Sequence, residues 1–314
     1  MIQERTICPS GELNLNLFER LRDGADISSI VSAATFTYAT LMRKPDAEGF
    51  VPEKTTVWDF PERGAWATHS PDYRGNFAPQ IPRNVIVNYS EEGELVLDPM
   101  VGSGTTLIEA RLLNRNAIGY DINQSAVDIA AERIQFEAKH KASQRVALGN
   151  AQKIPEPDES IDLIVTHPPY LNLVTYSDGK NPEDFSSLSS IPRYLDALEV
   201  ALGDMYRVLK HGRYCAILIG DTRKGQHFVP LSHFVLNRCL RVGFVLKEEI
   251  IKTQHNTKHG PRWVSSARHF KFYLIMHEHL FILRKPTEGE NLSRITYSTW
   301  NGFVKAQAAE IEGA

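Results

Sequence analysis

Two acids and a pair of glycines stand at informative intervals in this chain. Asp98 and the glycines lie in Asp98-Pro99-Met100-Val101-Gly102-Ser103-Gly104-Thr105-Thr106, and the second acid follows in Gly119-Tyr120-Asp121. Paired glycines let a backbone turn tightly and approach a ligand closely. A carboxylate just past a second strand can accept hydrogen bonds from the two hydroxyls of a ribose. Dinucleotide folds use the same acid, but their turn reads Gly-x-Gly-x-x-Gly and holds a pyrophosphate on a helix N-terminus. Here the third glycine is missing and Asp98 precedes the turn. A carboxylate at that place suits an ammonium group and opposes a pyrophosphate. S-adenosylmethionine, with a ribose, a sulfonium and an amino-acid end, fits these requirements better than a dinucleotide.

These residues need a strand, a turn, a helix and a second strand to hold them. Leu95-Val96-Leu97 is a short apolar run of the buried parallel-strand kind. Thr105 to Leu113 has helical composition and starts beside a Ser/Thr cluster suited to capping. Ala117 to Tyr120 reads as the second strand, which puts Asp121 at its carboxyl end and on the rim where open α/β sheets bind ligands. Further along, Gln124 to His140 is an amphipathic helix and Val146 to Ala151 a third strand. Ile161 to Val165 is a fourth strand that delivers Thr166-His167-Pro168-Pro169-Tyr170. Tyr194 to Leu209 reads as a helix, Tyr214 to Ile219 as a fifth strand and Phe228 to Val242 as the next helix. Phe244 to Ile251 and Tyr273 to Leu283 read as the last strands, around a basic loop at 252–271. Asn84 to Tyr89 is a short helix or strand leading into the first strand. The pattern predicts an α/β protein: a Rossmann-like sheet with helices on both faces.

Composition sets outer bounds. The chain has 314 residues, a net charge of -3 and 42% hydrophobic residues, enough for a sizeable core. It shows no apolar run of membrane-spanning length and no signal-peptide pattern, so the expected location is the cytoplasm, away from membranes. Cys8, Cys215 and Cys239 are scattered, which argues against a disulfide framework and a zinc site. Between residues 222 and 285 there are twelve Lys and Arg against three acids, Glu248, Glu249 and Glu278. That asymmetry suits a local phosphate-binding surface, and equally a solvated basic face.

The segment Asp98 to Thr106 resembles the cofactor motif of amino-group DNA methyltransferases, Asp-Pro-Phe-x-Gly-Ser-Gly-Thr-Thr, with Met100 in place of the common Phe. Thr166 to Tyr170 resembles the Asp/Asn/Ser-Pro-Pro-Tyr/Phe motif of the same enzymes. The similarity runs from about Trp58 to Pro286. It implies a methyltransferase domain over 58–286 with recognition loops near 171–190 and 252–271, an N-terminal extension at 1–57 and a tail at 287–314. It also implies S-adenosylmethionine bound by Phe77, Asp98, Pro99, Gly102, Ser103, Gly104, Thr105, Asp121, Asn150 and Ala151. Phe77 belongs to a segment that in the family folds over the methionine end of the cofactor, as do His69, Pro79 and Ile81. Asn150 stands where the family often has an acid facing the adenine amino group. Exposed Trp66 and Arg74 are candidates for touching DNA instead.

The catalytic residues that the resemblance implies are His167, Pro168, Pro169 and Tyr170. An aromatic amine is a poor nucleophile because its lone pair is delocalised into the ring. A stiff turn that aims one side-chain acceptor and one backbone carbonyl at the two amine protons favours a pyramidal nitrogen with its lone pair towards the methyl group. Tyr170 offers a stacking face for a base that has left the double-stranded DNA. His167 departs from the family pattern: a neutral imidazole accepts a hydrogen bond, and a protonated one does not. The implied reaction is methylation of the N4 amine of cytosine, ahead of the N6 amine of adenine. An RNA base methyltransferase acting on the N2 amine of a tRNA guanine is the alternative, and an inactive nucleic-acid-binding protein of the same fold is another. A cognate restriction endonuclease and the oligomeric state stay open. His277-Glu278-His279 lacks the His-Glu-x-x-His spacing of zinc proteases, and methyl transfer calls for no metal.

Overall fold

The computed structural model describes residues 44–73, 75–170, 183–188, 190–255 and 260–305. Arg74 and most of the 171–190 loop lie outside them, as do Cys8 and most of the N-terminal extension. Among the described residues ten strands and six α-helices follow one another. They are β1 (Val57–Trp58), α1 (Gln80–Tyr89), β2 (Leu95–Asp98), α2 (Thr105–Leu112), β3 (Asn116–Asp121), α3 (Gln124–Arg133), β4 (Gln144–Leu148) and β5 (Ile161–Thr166). Next come α4 (Ile191–Val208), β6 (Leu209–Ile219), β7 (Thr222–Lys224), β8 (His227–Val229), α5 (Leu231–Val242), β9 (Val245–Thr253), α6 (Gly260–Phe270) and β10 (His277–Arg284).

Eight strands form one sheet in the order β1-β9-β10-β6-β5-β2-β3-β4. All pair in parallel except β10, which runs antiparallel to both β6 and β9. From β2 the chain proceeds outward through β3 and β4, then returns to the other side of β2 with β5 and β6. The order therefore reverses between β2 and β5, the kind of switch point at whose carboxyl rim open sheets bind ligands. The glycine turn leaves β2 there, and Thr166-His167-Pro168-Pro169-Tyr170 leaves β5 beside it.

Both faces of the sheet are covered. On one face α1, α2 and α3 bury Ile81, Val85, Ile86, Leu107, Ile108 and Ala130 against Val96, Leu163 and Val165. On the other, α4 and α5 bury Tyr194, Leu198, Leu202, Met205, Val235 and Cys239 against Ile164, Ile217 and Phe281. The central strand β5 is buried along its whole length, with Asp162 near its start ion-paired to Lys210. The Rossmann-like α/β sheet with helices on both faces is thus what the chain forms, and Cys215 and Cys239 are core residues. Among the described residues no helix is long and apolar enough to cross a membrane.

Several elements differ from the sequence reading: the helix read over Gln124 to His140 ends at Arg133, and the last strand begins at His277, not Tyr273. Residues 252–271 are not all loop: β9 continues to Thr253, and α6 starts at Gly260-Pro261, where a proline is tolerated in the first helical turn. It carries Arg262, Arg268 and His269 beside exposed Trp263, Val264 and Phe270. The helix expected from Phe228 begins at Leu231, because Phe228 belongs to the β7–β8 hairpin, whose turn residues Gly225 and Gln226 both have positive φ. Helix α2 has no side-chain cap: Gly104 occupies the cap position, and the hydroxyl of Thr106 goes to Asp98 instead.

Candidate active site

The turn after β2 is held by backbone bonds and by two glycines in the left-handed conformation. Gly102 and Gly104 have φ of 49° and 85°, in the left-handed region. Val101 N donates to the Tyr120 carbonyl at 2.8 Å, and Gly104 N to the Val101 carbonyl at 2.9 Å. Asp121, at the end of β3, accepts from Gly102 N through Oδ2 and from Asn123 N through Oδ1, both at 3.0 Å. Burial pushes its carboxyl up to about 6, against the pull of these backbone donors.

Asp98 has a different place from the one its sequence position implies. It is 1% exposed and lies behind the cleft. Its Oδ1 accepts from Thr166 Oγ1 at 2.8 Å and from Met100 N at 3.2 Å, and its Oδ2 accepts from Thr106 Oγ1 at 2.7 Å. Burial pushes it up to about 6, with the Thr106 and Thr166 hydroxyls pulling the other way. It joins the ends of β2 and β5 to the start of α2, which fixes the switch point. Gly104 is likewise part of the frame and does not line the cleft: a Cβ there would meet the Ala130 Cβ at 3.2 Å.

The cleft itself is lined by Phe77, Pro99, Gly102, Ser103, Thr105, Asp121, Asn150 and Ala151 from the expected set, together with His167 and Pro169. The sequence reading did not single out Asn123, Glu183, Asp184 or Phe185, which also line it. Its charged lining consists of Asp121, Glu183 and Asp184, with no Lys or Arg among the described residues. Such a wall favours a cationic ligand and opposes a pyrophosphate. Gly102 faces the Tyr73 ring, which a Cβ would approach to 3.3 Å, so the turn and the 73–77 segment close on each other. A ligand with a ribose, a sulfonium and an ammonium group fits this donor and acceptor set. Asn150 points its Oδ1 at Gln152 N at 2.8 Å and its Nδ2 at Glu183 at 3.3 Å.

A second cavity of about 300 Å³ adjoins the first. It is lined by Pro168, Pro169, Tyr170, Lys252, Gln254, His255, Glu278 and Arg63, and it shares Gly75, Asn76, Phe77, His167 and Pro169 with the cleft. His167 and Phe77 stand at the common wall with ring centroids 5.5 Å apart. His167 Nε2 is hydrogen-bonded to the Tyr170 hydroxyl, which donates to Glu278 Oε1 at 3.1 Å. Glu278 Oε2 in turn accepts from Lys252 Nζ at 2.9 Å. Four side chains, two from the turn after β5 and one each from β9 and β10, thus form one polar chain ending on His167.

Burial holds His167 below the usual histidine range; the Glu278 charge opposes this and Lys252 reinforces it. The imidazole is therefore neutral near pH 7, and with the Tyr170 proton on Glu278 its Nε2 is the donor to the Tyr170 oxygen. Glu278 is 7% exposed, yet Lys252 and His167 hold its carboxyl below the usual range against the effect of burial. Tyr170 rests on Gly220, where a Cβ would come within 2.8 Å of the ring. Glu278 begins the buried stretch of β10, directly ahead of His279 and the apolar residues 280–283, and a buried charge needs partners.

His69 and Trp66 do not reach the cleft or the surface in the way the sequence suggested. His69 is 2% exposed and its Nε2 bonds Glu109 Oε1 at 2.6 Å. The Trp66 indole donates to the same oxygen at 2.6 Å, and Arg83 donates to Glu109 Oε2 at 2.8 Å. Glu109, completely buried in α2, therefore anchors the segment that leads to Tyr73 and Phe77.

Comparison with known proteins gives two family matches. A sequence profile of the DNA methylase family matches residues 34–132 and 161–310. A profile of the RMKL-like methyltransferase domain matches residues 85–181. The Type II methyltransferase M.MjaI of Methanocaldococcus jannaschii is 44% identical over 64 residues, 20% of this chain and 21% of that protein. The Type II methyltransferase M.HpaI of Haemophilus parainfluenzae is 47% identical over 53 residues, 17% of each chain. The tRNA (guanine(10)-N2)-dimethyltransferase of Methanothermobacter thermautotrophicus is 34% identical over 106 residues, 31% of this chain and 29% of that one. In all three cases the match spans less than a third of the relative's own length.

Proposed function

This chain belongs to the DNA methylase family, and on that premise we propose that it methylates an exocyclic amine of a DNA base, the N4 amine of cytosine ahead of the N6 amine of adenine. The observation that carries the reading is the pair of adjoining cavities with His167 and Phe77 in their common wall. One cavity has a purely acidic charged lining that suits the cationic cofactor. The other, polar and bordered by Tyr170, has room for a base turned out of the duplex.

S-adenosylmethionine supplies an electrophilic methyl group on a sulfonium. On this reading Asp121 takes the ribose hydroxyls, and Asp121 and Asp184 favour the cationic end. The base stacks on Tyr170. The Pro168 carbonyl accepts an amine proton beside the neutral His167 ring, which leaves the nitrogen lone pair directed across the common wall. Glu278, ionised and tied to Tyr170, stabilises the positive charge that grows on the amine during transfer. The preference for cytosine rests on His167, which is no closer to the Asp form of many adenine enzymes in the family. The similarity to a tRNA guanine methyltransferase supports a second reading in which the base belongs to RNA.

The test is to incubate the protein with unmethylated DNA, with tRNA and with methyl-labelled cofactor, then digest to nucleosides for mass spectrometry. N4-methylcytosine in DNA is the expected product. N6-methyladenine would move the assignment to adenine, and label confined to tRNA would move it to RNA. No methylated base in either would overturn the proposal. Sequencing the methylated sites would give the recognition sequence, which a cognate restriction endonuclease would have to share.

A further inference from the structure

The sequence offers His277-Glu278-His279, which lacks the spacing of a helical zinc motif. On a strand, however, alternate residues share a face. Glu278 points towards Tyr170, while the rings of His277 and His279 lie together on the opposite face with centroids 5.1 Å apart. Asp221 follows the end of β6, the strand that pairs with β10, and brings a carboxylate to the same place.

The hydrogen bonds there leave one cation to be supplied. Asp221 Oδ1 accepts from Ser232 N at 2.9 Å, so Oδ2 is the oxygen turned to His279. His279 Nδ1 lies 2.8 Å from Glu249 Oε1, and donation to that carboxylate leaves Nε2 with a lone pair. That lone pair faces Asp221 Oδ2 at 3.2 Å, acceptor against acceptor. A proton between them would satisfy these two groups and leave His277 out. A divalent ion satisfies three, because one ligand atom from each of Asp221, His277 and His279 lies within 4.8 Å of the others. Two donors at zinc-ligand distance in a tetrahedron stand about 3.3 Å apart. Glu249 on the far nitrogen of His279 is the carboxylate partner that metal-binding imidazoles ordinarily have.

We propose that Asp221, His277 and His279 form a binding site for a divalent transition-metal ion of the zinc type, with Glu249 orienting His279. The imidazole and carboxylate set suits zinc, cobalt(II) and nickel(II) over magnesium or calcium. The ion would clamp the ends of β6 and β10 at the turn carrying Gly220, on which Tyr170 rests. Its role is structural, so the site stands or falls independently of the proposed methyl transfer.

The test uses the untagged full chain, freed of metal with a chelator and titrated with zinc chloride by calorimetry, with cobalt(II) absorption as the spectroscopic readout. The expected result is one ion per chain, a tetrahedral cobalt spectrum and a raised melting temperature. His277→Ala removes a ligand but leaves the Asp221–His279–Glu249 contacts intact; it should weaken binding at least about tenfold, and Glu249→Gln should weaken it about 10- to 100-fold. His277→Gln serves as a second variant should the alanine form fold poorly. Absence of saturable uptake by the wild type, or uptake unchanged in a folded His277 variant, overturns the proposal and leaves a proton bridging Asp221 and His279.

Discussion

Tyr170→Phe removes one hydroxyl and keeps the aromatic face. That hydroxyl links His167 to Glu278, and it lies on the second cavity, outside the lining of the cofactor cleft. A hydrogen bond to a charged group contributes about 1.5–3 kcal/mol. Glu278 keeps its ion pair with Lys252 at 2.9 Å, so the variant leaves no bare buried charge. If the polar chain supports the amine only as it reacts, the whole loss falls on turnover, about 10- to 150-fold. The assay is single-turnover transfer of labelled methyl to unmethylated DNA, with cofactor affinity measured separately by calorimetry. Cofactor affinity should stay within about twofold, because the deleted bond contributes less than about 0.5 kcal/mol to a cleft it does not line. Wild-type turnover in the variant would refute the role of the chain from Lys252 to His167. An equal loss of cofactor affinity would refute the division of the site into two cavities.

Three further outcomes follow from the same geometry. Asp121→Ala removes the acceptor of Gly102 N and Asn123 N and a negative charge from the cleft, so cofactor affinity should fall at least about tenfold by calorimetry while DNA binding persists. Cofactor affinity should also depend on pH: the Asp121 carboxyl sits at about 6 in the folded protein and carries its charge only above that value. Binding of a cation should therefore be full above pH 7 and weaken by up to about tenfold per unit as pH falls through 6; a flat profile between pH 5 and 7 contradicts this. Gly220→Ala places a Cβ 2.8 Å from the Tyr170 ring and should lower turnover with cofactor affinity unchanged.

The glycine turn and the Pro-Pro-Tyr turn were legible because both follow strands whose apolar runs are plain, and β2 and β5 proved to be neighbours. The order of strands was not legible, and it decides which turns meet. Asp98 illustrates the limit. Its residue type and place suggested a direct role towards the cofactor, but two threonines, one from α2 and one from β5, enclose its carboxylate. Glu278 and Lys252 were hidden because they meet across a β9–β10 pairing that no local pattern announces. His277 and His279 were dismissed on helical spacing, whereas the strand period brings them together. Arg and His density around residue 260 suggested a loop, since charge content does not distinguish a solvated helix from one.

Glu109 has a consequence for anyone recombining such enzymes. One carboxylate inside α2 holds Trp66, His69 and Arg83, so the roof of the cofactor cleft is keyed to a helix that comes later in the chain. A chimera that takes residues 58–78 from one parent and 95–121 from another inherits a lock without its key unless position 109 travels with the roof. The natural unit of exchange is therefore the stretch from the roof through α1 to the end of α2, and crossovers placed between Tyr89 and Leu95 should fail more often than those placed after Leu112.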